Sequence, residues 1–165
     1  MQSLIPVWTN AGKHIARMAQ VEIKNKKAAF KYTLLEEFTA GIVLSGSEIK
    51  SIRAMKANIS DAYCKMINGE LYVMNMYIGP YHNAGYSQHK ERNSRKLLLN
   101  RVELRKIDRR LRDTGITVVP TLLFINEKGW AKLTICLAKG KNMGDKRLDQ
   151  KEKDLKRESD RGFKE

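Results

Sequence analysis

Apolar and polar residues are arranged along most of this chain in short runs of strand length. Runs rich in apolar, β-branched and aromatic residues cover positions 28–38, 41–44, 59–67, 71–78, 116–125 and 130–138. Asn68-Gly69 lies between two of these runs and predicts a hairpin, because both central residues of the favoured turn need positive φ. Gly129 suits the left-handed position of a second turn, at 126–129. The pattern therefore predicts about six strands.

Two segments between the strand-like runs carry helix signals. In the first, Ser45 and Glu48 have the spacing of a capping box; in the second, Asn100 is a good N-cap, Glu103 follows at N3 and Gly115 is placed to close the helix. The residues expected to face the core are Ile49, Ile52, Leu104, Ile107 and Leu111. No βαβ alternation recurs, so the predicted fold class is mainly β with inserted helices: a small antiparallel oligonucleotide-binding-type (OB-like) β-barrel with flanking helices.

The two ends of the chain differ from this barrel region, which we place at residues 23–138. Residues 1–22 have no clear period and predict an N-terminal extension that is disordered or the product of a mis-assigned start, with Met18 as a natural alternative. Residues 139–165 hold ten basic and seven acidic residues but few apolar ones. Such a basic tail cannot offset its ordering entropy and should be disordered when free. Its acid-first i,i+4 pairs, such as Glu152–Lys156, favour a helix once a partner surface orders it.

The charge of the chain lies mainly on the barrel region. The formal net charge is +14, of which the tail contributes +3 and residues 1–138 contribute +11. An excess of this size on a folded body indicates a surface for a polyanion, with nucleic acid favoured over anionic lipid or an acidic protein. The predicted second helix carries several basic residues on its exposed face, and we expect Arg101 and Arg105 to contact phosphates. The alternative is a helix face that is basic only for solubility.

The sequence offers little for catalysis, metal binding or membrane insertion. Cys64 and Cys136 are isolated within apolar runs and are expected to be buried thiols, and the three histidines are scattered without zinc-ligand spacing. No apolar run approaches the roughly 18 residues needed to span a bilayer. A metal-dependent nuclease using Glu36, Glu48 or Asp61 is the enzymatic alternative, but each acid has a structural explanation at a strand surface, a helix cap or a turn. We expect no enzyme activity and no cofactor.

Several separate blocks of the chain resemble the SsrA-binding protein (small protein B, SmpB) family. The blocks are NKKA at 25–28, AGIVLSGSEIKSIR at 40–53, KANISDAY at 56–63, NMYIGPY at 75–81, RKLLLN at 95–100, AKGK at 138–141 and DKR at 145–147. They follow one another in order from about Ile23 to the C-terminus.

This resemblance implies a function in trans-translation. The family binds transfer-messenger RNA and delivers it, with elongation factor Tu, to ribosomes stalled on messages that lack a stop codon. It implies an OB-type barrel that takes the place of the missing anticodon arm at the decoding centre. It also implies a tail that enters the vacant mRNA channel and becomes helical there. The implied location is the bacterial cytosol, or less readily an organelle of bacterial descent.

The resemblance also implies individual contacts. The RNA-contact positions that match are Asn25, Lys26, Leu98, Lys132, Lys139, Gly140 and Lys141. The tail residues expected in the mRNA channel are Asp145, Lys146, Arg147, Lys151, Lys153, Lys156 and Arg157. Thr39 stands at an RNA-contact position where many relatives have Glu, and Asn142 and Gly144 are further departures in the tail.

Two alternatives stay open at the level of sequence. The barrel face could stack unpaired bases on aromatic residues, with Tyr32 as a candidate, although Tyr32 can equally be a half-buried strand residue. The protein could also be a structural ribosomal protein or a general RNA chaperone with the same barrel. A protein of that kind would bind RNAs with little preference for a tRNA-like fold.

Overall fold

Nine strands and three helices lie among the described residues between 21 and 142. The computed structural model describes residues 21–81, 88–142, 147, 151–152 and 154–157. The strands are β1 (Glu22–Lys24), β2 (Tyr32–Ile42), β3 (Ala57–Asn58), β4 (Tyr63–Ile67), β5 (Glu70–Met74), β6 (Tyr77–Ile78), β7 (Arg95–Leu98), β8 (Ile116–Ile125) and β9 (Ala131–Gly140). The helices are α1 (Ala28–Lys31), α2 (Gly46–Arg53) and α3 (Arg101–Leu111).

Six antiparallel strands close into a ring. The order around the ring is β8-β4-β5-β7-β2-β9, and β9 returns to β8. β1 pairs with residues 122–124 of β8, and β3 pairs with β6 in a separate two-stranded sheet. Closure removes the open sheet edges that would otherwise invite pairing with another chain. The mainly β fold with inserted helices, predicted from the sequence, is confirmed.

The core lies inside this ring and is closed by the two longer helices. Ile52 of α2 and Ile107 of α3 are fully buried, as are Leu71, Leu133 and Ile135 from the ring strands. Burial of a side chain of this size contributes about 1.5–3 kcal/mol relative to leaving it in water. The helix faces predicted from the apolar spacing therefore point into the barrel.

Local turn and cap signals are confirmed. Asn68 and Gly69 have φ of 50° and 76° in the β4–β5 hairpin, and Gly129 has φ of 81° in the β8–β9 turn. In α2 the Glu48 carboxylate accepts a hydrogen bond of 2.7 Å from the backbone N–H of Ser45. The corresponding bond in α3 is 3.0 Å, from the N–H of Asn100 to the carboxylate that follows at N3.

Strand boundaries differ from the prediction in several places. The run predicted at 59–67 is a strand only from Tyr63, and the run predicted at 71–78 divides into β5 and β6. The other differences lie around β2 and β7. Residues 28–31 form the short helix α1, and the strand then continues without a break through Gly41 and Ile42. The separate strand predicted at 41–44 is therefore wrong. Gly41 pairs with Leu98 on one side and Lys132 on the other, and this double pairing holds it within β2. β7 was not predicted, because its four residues, in the basic segment before α3, are too few for a periodic signal.

A buried ion pair joins α2 to β7. Arg95 is 3% exposed and donates from Nε to the Glu48 carboxylate at 2.8 Å. Its Nη1 donates to the carbonyls of Met76 (2.8 Å) and Asn93 (3.0 Å). Because the guanidinium has several fixed donors, one side chain ties together a helix, a strand and the segment that leads into β7.

Candidate nucleic-acid interface

The outer face of β2, β7 and β9 brings three of the predicted RNA-contact residues together. Gly41 lies opposite both Leu98 and Lys132, and Thr39 lies two residues before it on β2, opposite Thr134. Directly opposed residues of antiparallel strands share a face, and so do residues two apart on one strand. Thr39, Leu98 and Lys132 therefore form one outward-facing cluster, although 93 residues separate its first and last members in sequence.

Gly41 allows the close approach within this cluster. A Cβ at this position would lie 3.3 Å from the Leu98 Cβ and 3.8 Å from the Lys132 Nζ. The first of these distances is tighter than ordinary van der Waals contact. The absence of a side chain lets Leu98 and Lys132 approach each other above the β2 backbone.

A groove of about 790 Å³ extends from this cluster to the β8–β9 turn. One wall is formed by the end of β2 and by α2, and the other by the turn and the start of β9. The side chains that line it and were not singled out from the sequence are Val43, Arg53, Lys128 and Trp130. A wide, shallow groove with apolar and cationic walls is typical of OB-type surfaces that hold nucleic acid.

The electrostatics of the groove are one-sided. Arg53, Lys128 and Lys132 line it, and among the described residues of its walls none is acidic. Within the described part of the chain these three cations form no salt bridge; Arg53 donates only a long hydrogen bond of 3.4 Å to the carbonyl of Gly129. The groove therefore presents uncompensated positive charge beside exposed apolar surface.

Trp130 is the largest exposed side chain of this groove. It is 67% exposed, compared with 53% for Leu98. Its backbone is fixed, because its N–H donates to the Asn126 side chain at 2.8 Å and its carbonyl accepts from the Asn126 N–H at 2.9 Å. The only sequence signal was a tryptophan at the edge of a turn, which is also compatible with a core residue.

Asn25 is buried, and its amide is engaged inside the protein. The nitrogen donates to the carbonyls of Ile59 (3.1 Å) and Pro120 (2.9 Å), and the oxygen accepts from the backbone N–H groups of Lys27 and the residue after it. An amide has two donor hydrogens and two acceptor positions, and all four are engaged here. In this structure Asn25 fixes the turn that exposes Lys26, and the direct RNA contact expected of it stays a prediction.

The RNA-contact residues predicted at the junction between β9 and the tail, Lys139, Gly140 and Lys141, lie away from the groove. Lys132 and Gly140 belong to opposite ends of the β2–β9 ladder, which places them about 26 Å apart along the strand at 3.3 Å per residue. Lys139 is exposed, whereas Lys141 donates from Nζ to the carbonyl of Ala29 at 3.0 Å. The structure thus separates the predicted RNA contacts into a groove group and a junction group.

The basic helix α3 presents a third surface. Arg101 and Arg105 are exposed and line a small cleft against the β4–β5 turn. Not all the cations of this helix are equally available. The ion pairs that engage them are Lys106 with Glu36, Arg110 with Asp113 and Arg112 with Asp108.

Beyond residue 142 the tail is described at seven positions. Residues 147, 151–152 and 154–157 are helical and exposed, which includes the predicted channel residues Arg147, Lys151, Lys156 and Arg157. Arg157 forms an i,i+3 ion pair of 3.8 Å with Asp154. The remaining predicted tail contacts, Asp145, Lys146 and Lys153, lie outside the described residues, as does Gly144.

The three acidic residues considered for a metal-dependent nuclease each form an ion pair within the protein. Glu36, Glu48 and Asp61 pair with Lys106, Arg95 and Lys27 respectively. Among the described residues no three histidine, cysteine, aspartate or glutamate side chains cluster as a metal site would require.

The structure also bears on the expected buried thiols, on the stacking role considered for Tyr32 and on membrane insertion. Cys64 and Cys136 are buried free thiols, and burial raises the pKa of the Cys64 thiol. Tyr32 is half-buried against the side of the barrel, in line with a strand residue. No helix in the described ranges is long and apolar enough to cross a membrane.

Comparison with known proteins gives concordant matches. The model of the SmpB protein family matches residues 22–165. The SsrA-binding protein of Phocaeicola vulgatus is 54% identical over 144 residues, which are 87% of this chain and 96% of that protein. The SsrA-binding protein of Bacteroides thetaiotaomicron is 53% identical over 148 residues, 90% of this chain and 99% of that protein. A solved chain from a structure described as "tmRNA-SmpB: a journey to the center of the bacterial ribosome" is 39% identical, with a TM-score of 0.64 over 74% of this chain and 86% of that one.

Proposed function

This chain belongs to the SmpB family, and on that premise we propose that it binds the tRNA-like domain of transfer-messenger RNA and delivers it to stalled ribosomes for trans-translation. The relatives are SsrA-binding proteins, and the similar solved chain comes from a structure of transfer-messenger RNA with SmpB. The protein is therefore a binding protein and not an enzyme.

The observation that carries this proposal is the groove on the outer face of β2, β7 and β9. Leu98 and Lys132 line it, and Thr39 lies on the same sheet face; the family resemblance selects these three residues one by one. Arg53 and Lys128 add positive charge that no described carboxylate neutralises. Phosphate contacts from such cations release counterions and supply affinity, while apolar side chains contact sugar and base surfaces.

The other two basic surfaces would serve the ribosomal part of the same task. The exposed arginines of α3, Arg101 and Arg105, would contact phosphates. The tail would enter an empty mRNA channel as a helix, and a channel that holds message would exclude it. Elongation factor Tu would take part in the delivery complex, in the bacterial cytosol. Selectivity for stalled ribosomes then follows from steric competition between the tail and message.

The direct test is a binding titration at two salt concentrations. The full chain is titrated against the tRNA-like domain of transfer-messenger RNA, an ordinary tRNA and an unrelated hairpin of equal length. We expect a preference of about tenfold or more for the tRNA-like domain, which persists at the higher salt because it does not depend on phosphate charge alone. Equal affinity for all three RNAs, falling together as salt rises, would instead support a general RNA-binding protein.

A further inference from the structure

Trp130 is placed where a protein does not need a tryptophan for its own stability. Its side chain is two-thirds exposed, and the groove that it lines is open to solvent. An exposed indole leaves a large apolar surface in water, and such surfaces mark binding sites more often than chance allows. The hydrogen bonds that fix its backbone come from Asn126 and do not involve the ring. The ring is therefore held in position without being covered.

The surroundings of Trp130 restrict what can cover it. Arg53, Lys128 and Lys132 line the same groove, and no acidic side chain lies among its described walls. An apolar peptide would leave these three cations unpaired, and a simple anion would leave the indole exposed. A nucleotide satisfies both, because it joins a flat aromatic base to a negatively charged phosphate. The groove volume of about 790 Å³ is within the range of sites that enclose small organic groups.

We propose that Trp130 is a stacking platform for one unpaired base of the bound RNA, with Arg53, Lys128 and Lys132 holding the phosphates on either side of it. This inference rests on the proposed function and specifies which part of the RNA the groove takes. A base within a duplex already has neighbours on both faces and cannot stack on a protein ring without being unstacked. The groove consequently binds a loop nucleotide, not a helical stem.

The chain allows a direct optical test, since it contains only two tryptophans, Trp8 and Trp130. In a Trp8→Phe background all indole fluorescence comes from Trp130. The probe is the tRNA-like domain of transfer-messenger RNA. A second probe is the same RNA with abasic sites at its unpaired loop positions. This RNA lacks those bases but keeps every phosphate. We expect the first RNA to quench Trp130 strongly on binding, and the abasic RNA to bind more weakly without quenching.

Substitutions at the same position supply the affinity measurement. Trp130→Ala should weaken binding of the intact RNA roughly tenfold, in the range found for loss of one base–aromatic stack, and Trp130→Phe should keep most of the affinity. Trp130→Ala should change the affinity for the abasic RNA little, because no base is left to stack. Tyr63→Ala is the matched control: Tyr63 is an exposed aromatic of β4 that does not line the groove. It should leave both affinities unchanged.

The outcomes separate this inference from the proposed function. Selective binding of the tRNA-like domain with no quenching, and with equal loss for Trp130→Ala on intact and abasic RNA, overturns the stacking role and leaves the proposed function standing. No preference for the tRNA-like domain in the parent protein overturns the proposed function itself. If Trp130→Ala fails to fold, the fluorescence of the Trp8→Phe protein still decides, because it retains the native groove.

Discussion

The groove and the helix α3 are both basic, but they carry their charge in different ways. In the groove, Arg53, Lys128 and Lys132 form no salt bridge with any described residue, and apolar side chains lie between them. On α3 and its C-cap residue Arg112, three of the six basic residues form ion pairs with carboxylates of the helix itself, of the following turn or of β2. A count of basic residues would rank the helix above the groove. The tertiary arrangement reverses that order for charge available to a ligand.

This difference shows that a basic residue can do three separate things in one small domain. It can be buried and hold elements together, it can balance a neighbouring carboxylate at the surface, or it can remain available for a polyanion. Exposed ion pairs contribute only about 0–1 kcal/mol to stability, whereas a buried pair broken by removal of one partner costs several times more. Substitution of a buried basic residue should therefore change the free energy of unfolding, whereas substitution of an available surface residue should change RNA affinity.

The largest effect is expected for the buried class. Arg95→Ala should lower the free energy of unfolding by about 3–5 kcal/mol, because it leaves the Glu48 carboxylate buried without its cation. Urea denaturation measures this change. Lys96→Ala is the control, since it removes the neighbouring cation from an exposed pair with Glu70 and should lower stability far less than Arg95→Ala. Equal losses for the two variants would contradict the distinction between buried and surface pairs.

The second effect separates available from paired surface cations. Lys132→Ala should weaken binding to the tRNA-like domain about tenfold, as expected for loss of one charge-assisted contact. Lys106→Ala removes the same charge from α3, but its ammonium is engaged with Glu36, and the loss should be less than about threefold. Both are measured in the same titration at one salt concentration. If the two variants lose affinity equally, total charge and not its placement governs binding.

A third, smaller effect concerns the arginines of α3 that form no ion pair with any described residue. Arg105→Ala should reduce the slope of log affinity against log salt by about 0.7–0.9, the value for one lost phosphate contact. Arg112→Ala, which removes an arginine paired with Asp108, should leave the slope nearly unchanged. Titrations at several salt concentrations measure the slopes. An unchanged slope for Arg105→Ala would show that the unpaired arginines of this helix do not contact the RNA tested.

The smallest effect concerns an exposed pair between β5 and β7, Glu70 with Lys96. The hydrogen bond from Lys96, together with one from Tyr72, holds the pKa of the Glu70 carboxyl below its usual range. Because the folded pKa is lowered, the pair stabilises the protein above the unfolded-state pKa, and this contribution is lost as pH falls through the lowered value. Carboxyl NMR titration measures the pKa. In Lys96→Met it should rise towards the ordinary glutamate value, and no rise would mean that Lys96 is not its cause.

Much of the framework was predictable because its signals are local. The hairpin at Asn68-Gly69 and the capping box at Ser45 and Glu48 depend on residues within four positions of one another. The apolar spacing of the helices placed Ile52 and Ile107 in the core. The family resemblance added Thr39, Leu98 and Lys132 one at a time, without indicating that they lie together.

The sequence alone was a poorer guide wherever a residue has alternatives that only distant parts of the chain can decide. Asn25 looked like an exposed polar residue before two lysines, but the carbonyls of Ile59 and Pro120 draw its amide inside. Gly41 looked like the start of a new strand, but pairing with β7 and β9 keeps it within β2. Trp130 begins an apolar run and was compatible with a core residue, but it lies exposed in an open groove.

The sequence by itself determined the turns, the caps, the inward faces of the helices and the excess of positive charge, since each of these depends on neighbouring residues or on composition. Only the tertiary structure decided which of the charges are available. A lysine loses its availability when a carboxylate is folded beside it, as Glu36 is beside Lys106 from 70 positions away. A lysine stays available when the strands around it bring no described carboxylate close, as at Lys132. The physical reason is that electrostatic pairing depends on distance in space, and the strand pairing of the closed barrel sets that distance.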